Sequence, residues 1–197
     1  MISHEYKCIF IHIQRTGGTS IEKAIQGEDQ FDKLHRTKHI LASTAKEIYK
    51  DYWDDYFKFS IVRNPWDRMV SFASMGWLDT RIVDGKVNVD SFLSYITNNK
   101  YEVPVFSESV SRLHTYDNYI ENSVYCNILN EDLDFIGRFE NLHEDFATIC
   151  EKIGCKNELP SDHKNVSENY KGFYNEHSKQ VVQNIYKEDL KRFNYTF

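Results

Sequence analysis

The sequence predicts an α/β fold, a mainly parallel central sheet flanked by helices, and three observations carry that expectation. Short continuous apolar runs around Cys8-Ile9-Phe10-Ile11 and Phe59-Ser60-Ile61-Val62 read as strands buried on both faces. Between such runs apolar residues recur at helical spacing, so strands alternate with helices. Length sets the third constraint. A chain of 197 residues, 41% hydrophobic and 15% aromatic, suits one well-packed core better than two, so residues 1–197 are expected to form a single domain.

The elements follow in order. Tyr6 to Ile13 is the first strand, and Ile21, Ala24 and Ile25 mark the core side of the helix after it. Leu41, Ala45, Ile48 and Tyr52 define a second helix, with Thr44 and Glu47 spaced as a capping box. Phe57 to Arg63 is β-branched and aromatic and is stopped by Asn64-Pro65, where Asn64 can cap a helix whose first position Pro65 takes. Trp66, Met69, Val70, Ala73 and Trp77 line one face of that third helix, leaving Arg68, Ser71 and Ser74 on its surface with Ser71 available to a ligand. From Asp79 to Asp132 the pattern is weak, with short helices expected near Val89–Thr97 and Ser107–Tyr119. Leu133 to Phe139 reads as another strand. A helix carrying Leu142, Phe146, Ile149 and Ile153 follows and stops at Gly154. A last amphipathic helix carries Val181, Val182, Ile185, Tyr186 and Leu190, and the tail from Phe193 to Phe197 is expected to dock on the domain.

Charge and composition exclude several functions. A net charge of -6 does not suit a general nucleic-acid binder, so any anion site must be local. No run of 18 apolar residues and no signal-peptide pattern is present, and the chain reads as soluble, cytoplasmic and not inserted in a membrane. Cys8, Cys126, Cys150 and Cys155 form no C-x-x-C pair, and the eight histidines fit no metal motif. Reduced, mostly buried thiols and no bound metal are expected.

The most informative stretch is His12-Ile13-Gln14-Arg15-Thr16-Gly17-Gly18-Thr19-Ser20. A buried strand delivers the chain to a tight turn, two glycines let backbone N–H groups converge, and the next helix offers its positive end to an anion. Arg15 adds a charge, and Thr16, Thr19 and Ser20 add hydroxyls. The order differs from the nucleotide-binding G-x-x-x-x-G-K-[ST] loop, because the cation precedes the glycines. Arg63, at the carboxyl end of a strand, and Ser71, eight positions later, make a guanidinium and hydroxyl pair suited to a second phosphate, although a strand-end arginine is more often an ion-pair partner.

With both stretches in hand the chain resembles the P-loop-like sulfotransferases that use 3′-phosphoadenosine-5′-phosphosulfate, in the branch related to carbohydrate sulfotransferases. Residues 12–20 are similar to that family's 5′-phosphosulfate loop, and residues 59–71 to its 3′-phosphate motif. Ile136-Gly137-Arg138-Phe139-Glu140-Asn141-Leu142 with Asp145-Phe146, and Asp189-Leu190-Lys191-Arg192-Phe193-Asn194-Tyr195, also look like the family. The resemblance implies a three-layer fold like that of P-loop NTPases and the phosphosulfate donor as cofactor. It implies Arg15, Thr16, Gly17, Gly18, Thr19, Ser20, Arg63 and Ser71 as donor-binding residues. Two positions depart from the pattern: Gln14 replaces the usual proline, and Arg15 the usual lysine.

Sulfuryl transfer requires stabilisation of the charge gathering on the departing phosphate, assigned to Arg15 and the loop amides, and removal of the acceptor's proton. His39, in Arg36-Thr37-Lys38-His39-Ile40, lies in a segment resembling the family's base-bearing one and is the expected base. His35 and an unidentified glutamate are the competitors. Repulsion from Lys38 and Arg36 would keep His39 neutral. Arg81, Lys86, Arg112 and His114 are candidates for meeting a carbohydrate or small-molecule acceptor, and Asn165–Tyr174 for a flap over the donor. A non-catalytic protein binding the donor or its desulfated product, and a P-loop kinase, are the alternatives.

Overall fold

The computed structural model describes residues 1–28, 38–73, 82–83, 86–87, 124–160 and 170–197. In chain order its elements are β1 (Ile2–Ser3), β2 (Cys8–Ile11), α1 (Gly18–Gln26), α2 (Ala42–Ile48), β3 (Phe57–Val62), α3 (Pro65–Ala73), β4 (Ile82–Val83), β5 (Lys86–Val87), α4 (Tyr125–Ile128), β6 (Phe135–Arg138), α5 (Leu142–Ile153), α6 (Glu176–Ile185) and α7 (Lys187–Phe193). Single 3-10 turns occupy Phe139–Asn141 and Tyr170–Phe173. The helices expected near 89–97 and 107–119 lie outside the described residues, as do Ser74 and Trp77. Residue contacts divide the chain into two compact units, with the boundary in the first half of the chain between Val62 and Arg63.

The first unit is built on a four-stranded sheet in the order β1-β2-β3-β6. β2 pairs in parallel with β3 from Cys8 opposite Phe57 to Ile11 opposite Ser60, and β3 pairs in parallel with β6 from Phe59 opposite Phe135 to Val62 opposite Arg138. The expected α/β character and largely parallel sheet are therefore present. Both β2 and the last four residues of β3 are buried throughout, which is why their sequences are continuous apolar runs and not alternating ones. Ser60 breaks that run without penalty, because its hydroxyl donates to the Ile11 carbonyl at 2.7 Å. Phe10, Phe59 and Ile61 meet Ile21 and Ile25 of α1 and Phe146 and Ile149 of α5 in one apolar core.

Several boundaries differ from the sequence expectation. The first strand is shorter, and β1 pairs antiparallel on its outer side through Ile2 and Ser3, too few residues to leave a periodic signal. The expected capping box does not form. α2 begins at Ala42 after Leu41, no side chain caps it, and Thr44 is buried inside the helix; Tyr52 lies beyond its end and is 41% exposed. The expected strand over Leu133–Phe139 contracts to Phe135–Arg138, with Phe139 opening the 3-10 turn. α5 ends at Gly154 as expected.

The second unit is organised around α3. Asn64 caps it, its side-chain oxygen accepting from the Trp66 amide at 3.1 Å, and Pro65 takes the first helical position as anticipated. The expectation of one apolar face is not met: residues 65–72 are all buried, Arg68 and Ser71 included. Trp66, Met69, Val70 and Phe72 pack with Tyr174, Val182 and Tyr186, while Arg68 lies over the rings of Phe72 at 5.2 Å and Tyr125 at 4.9 Å. The C-terminal residues dock here. Asn64 donates to the Thr196 carbonyl at 2.9 Å, and the Phe197 ring meets Trp66 edge-on at 5.4 Å. The expected single last helix is two, because the backbone at Tyr186 (φ -100, ψ 21) leaves the helical basin between α6 and α7.

Candidate active site

The loop between β2 and α1 is shaped by backbone conformations that few residues accept. Arg15 has φ 65 and Gly17 φ 82. A left-handed arginine is strained by about 1 kcal/mol or more, of the kind that collects at functional sites. Gly17 is doubly required, because a Cβ there would also lie 2.7 Å from Leu142 Cδ2. Its carbonyl accepts from the amides of Ser20 at 3.1 Å and Ile21 at 3.4 Å, starting α1. The amides of Gly18 and Thr19 precede the first bond inside the helix and are the natural donors to an anion. The Thr16 hydroxyl turns inward and donates to the Ile13 carbonyl at 2.8 Å, so what Thr16 can offer an anion is its amide.

Behind the loop lies a buried polar cluster. His12, the residue after β2, is 4% exposed, stacks on Phe10 at 5.3 Å, and donates from Nδ1 to Glu22 Oε1 at 2.7 Å. Glu22, on the second turn of α1, is fully buried, and its other oxygen lies 3.3 Å from Lys38 Nζ. That ammonium also donates to Thr19 Oγ1 at 3.3 Å. His39 follows, half-buried, with its ring against that of His12 at 4.5 Å. Its Nδ1 lies 3.1 Å from the His12 carbonyl, and a carbonyl only accepts. Nδ1 therefore carries the proton and Nε2 holds the lone pair. Burial first, and the neighbouring His12 imidazole second, hold the His39 pKa well below its usual value; the repulsion from Lys38 that the sequence suggested acts in the same direction but adds less.

The second anchor lies in the other unit. Arg63 is 4% exposed and donates from Nε to Asp67 Oδ2 at 2.7 Å. Its backbone is pinned too: the Tyr125 hydroxyl donates to its carbonyl at 2.6 Å and accepts from its amide at 3.3 Å. Ser71 sits two turns into α3 and is 2% exposed, more enclosed than the sequence implied. Asp189 of α7 steadies this arrangement by accepting from the amides of Tyr125 at 2.7 Å and Cys126 at 2.8 Å, and burial raises its pKa despite those bonds.

The first unit thus brings the loop residues 15–20 together with His39, and the second holds Arg63 and Ser71. His35, Arg36, Arg81, Arg112, His114 and residues 165–169 lie outside the described residues, and Lys86 contributes backbone to β5. Sequence reasoning passed over His12, Glu22 and Asp67. A signal existed for two of them: His12 is a polar residue closing an apolar run, and Glu22 falls on the core stripe between Gly18 and Ile25. Among the described residues no group of three His, Cys, Asp or Glu is arranged to hold a metal ion, and no helix is long and apolar enough to cross a membrane. All four cysteines are free of disulfides.

A family model described as "Sulfotransferase family" matches residues 1–196. A relative from Archaeoglobus fulgidus, described as an uncharacterized protein, is 32% identical over 113 residues, spanning 57% of this chain and 79% of the relative.

Proposed function

We propose that this chain, which belongs to the sulfotransferase family, moves a sulfuryl group from 3′-phosphoadenosine-5′-phosphosulfate to a hydroxyl or amine of a carbohydrate or small metabolite. The observation that carries the reading is the loop of residues 15–20, with the amides of Gly18 and Thr19 ahead of the first helical bond and the half-buried, neutral His39 anchored to His12 just before it. In this reading residues 1–197 act as one domain of the P-loop-like three-layer type.

The donor set fits a phosphosulfate. Amides, the Thr19 hydroxyl and Arg15 all supply hydrogen, and the carboxylate behind the loop, that of Glu22, is buried and occupied by His12 and Lys38. When bound, the donor supplies an electrophilic sulfuryl group. Arg15 and the loop amides would stabilise the charge left on the departing phosphate. His39 Nε2 would take the acceptor's proton, a role its lowered pKa permits at neutral pH because the imidazole stays unprotonated. Arg63 and Ser71 would hold the 3′-phosphate, the feature that separates this donor from ADP and ATP. A kinase would need a lysine after the glycines, where this chain has Thr19 and Ser20.

Calorimetry tests the reading. 3′-Phosphoadenosine 5′-phosphate should bind at micromolar Kd in preference to ADP, and Arg63→Ala should weaken it sharply; equal affinity for ADP sinks the proposal. One observation favours a second reading. Arg15 stands where the resembling loops carry lysine, and a guanidinium cannot release a proton at any accessible pH. Were the chain a binder without turnover, labelled donor and a glycan panel would show none, and Arg15→Lys would restore it.

A further inference from the structure

The buried cluster behind the loop contains a lysine that the transfer chemistry above does not use. Lys38 is 4% exposed and faces Glu22, which is fully buried. Placing both charges out of water is costly, and a pair of this kind gives little stability over apolar residues of the same size. Its geometry is nonetheless well determined. Each Glu22 oxygen has its own partner, His12 Nδ1 at 2.7 Å and Lys38 Nζ at 3.3 Å, so the carboxylate holds the ammonium in one place. From there Lys38 reaches Thr19 Oγ1 at 3.3 Å.

Thr19 is the second residue of α1, half-buried, and its amide is one of those preceding the first helical bond. A threonine hydroxyl has one proton and two lone pairs, whereas a lysine ammonium only donates. The contact therefore occupies the accepting side of Thr19 and turns its proton away from Lys38. A hydroxyl that accepts from a cation is also a stronger donor, because each bond in such a chain polarises the next.

We propose that Lys38 is a positioning residue: clamped by Glu22, it fixes the Thr19 hydroxyl as a polarised donor to the anion held in the loop. The inference rests on the loop being the phosphosulfate site and deepens that reading. Because Lys38 precedes His39, whose ring is tied to the His12 carbonyl, the same two-residue segment serves both the anion and the acceptor's proton.

The test is a double-mutant cycle read by calorimetry on the whole chain, with 3′-phosphoadenosine 5′-phosphate and, separately, inorganic pyrophosphate as probes. Thr19→Val removes the hydroxyl. Glu22→Gln with Lys38→Met removes the clamp without leaving a lone buried charge. Each should weaken binding about tenfold, the combination should cost no more than either alone, and Thr19→Ser should bind normally. Independent effects that multiply, or full affinity after removal of the clamp, would overturn the proposal even if thermal stability falls. Should the clamp-free protein fail to fold, Lys38→Gln replaces it, keeping a donor while removing the charge; unchanged affinity there overturns the proposal equally. Loss of nucleotide binding by the unaltered chain with pyrophosphate coupling retained would remove the sulfotransferase reading alone, and binding of neither probe would remove both.

Discussion

Gly18 lies so close beneath the imidazole of His12 that a Cβ at position 18 would overlap the ring. The glycine is required by the side chain opposite it and not by its own backbone, which is helical. Gly18→Ala should displace His12, lengthen its bond to Glu22, and cost about 1–3 kcal/mol in urea unfolding. In a His12→Ala background, itself weakened by the loss of a partner for Glu22, Gly18→Ala should cost less, since the clash is gone. Additive losses in the double variant would show that the methyl offends something else.

The titration of His39 should be visible in stability as well as rate. Its folded pKa is depressed, so below about pH 6.5 the unfolded chain takes up a proton that the folded one resists. The stability linked to His39 is therefore complete above that value and is lost as pH falls. The melting temperature should drop between pH 7.5 and 5.5 by more in the unaltered protein than in His39→Asn. The acid limb of kcat/KM should lie below the usual histidine range, because the base stays unprotonated until then.

Asp189 supplies a stability prediction without any ligand. Its two oxygens accept from successive amides at the start of α4, and α4 carries the tyrosine that pins the Arg63 backbone. Asp189→Ala leaves those buried amides without acceptors and should cost about 2 kcal/mol or more in chemical unfolding. Asp189→Asn, which keeps one accepting oxygen, should cost less. Equal losses would mean that the carboxylate's charge, and not its geometry, is what matters.

The strands and the loop were legible because their residues answer to local rules. Ile9, Phe10 and Ile11 belong to a strand whose residues are all buried, and Gly17 and Gly18 stand where backbone must turn or approach a side chain. The failures share a cause. Thr44 and Glu47 have capping spacing, yet where a helix begins is decided by tertiary contacts that spacing does not contain. Arg68 is charged, so periodicity placed it in solvent; the rings of Tyr125 and Phe72, the former far along the chain, enclose it instead. The pairing of Glu22 with Lys38 was hidden for the same reason. Each is an ordinary surface residue by type, and only folding reveals that they neutralise one another.

Arg63 combines a structural and a ligand-binding role that can be separated. Asp67 meets it through Oδ2 at 2.7 Å, while Asp67 Oδ1 is buried and has no hydrogen-bond partner among the described residues. Removing the guanidinium would leave a buried carboxylate with neither oxygen satisfied, so Arg63→Met should cost about 3 kcal/mol or more. Arg63→Met with Asp67→Asn removes the stranded charge and should recover most of that stability. If the guanidinium also holds the 3′-phosphate, the recovered protein should still fail to prefer 3′-phosphoadenosine 5′-phosphate over ADP. Urea unfolding and calorimetry on the same two variants decide the matter. Stability and nucleotide preference returning together would confine Arg63 to its pair with Asp67.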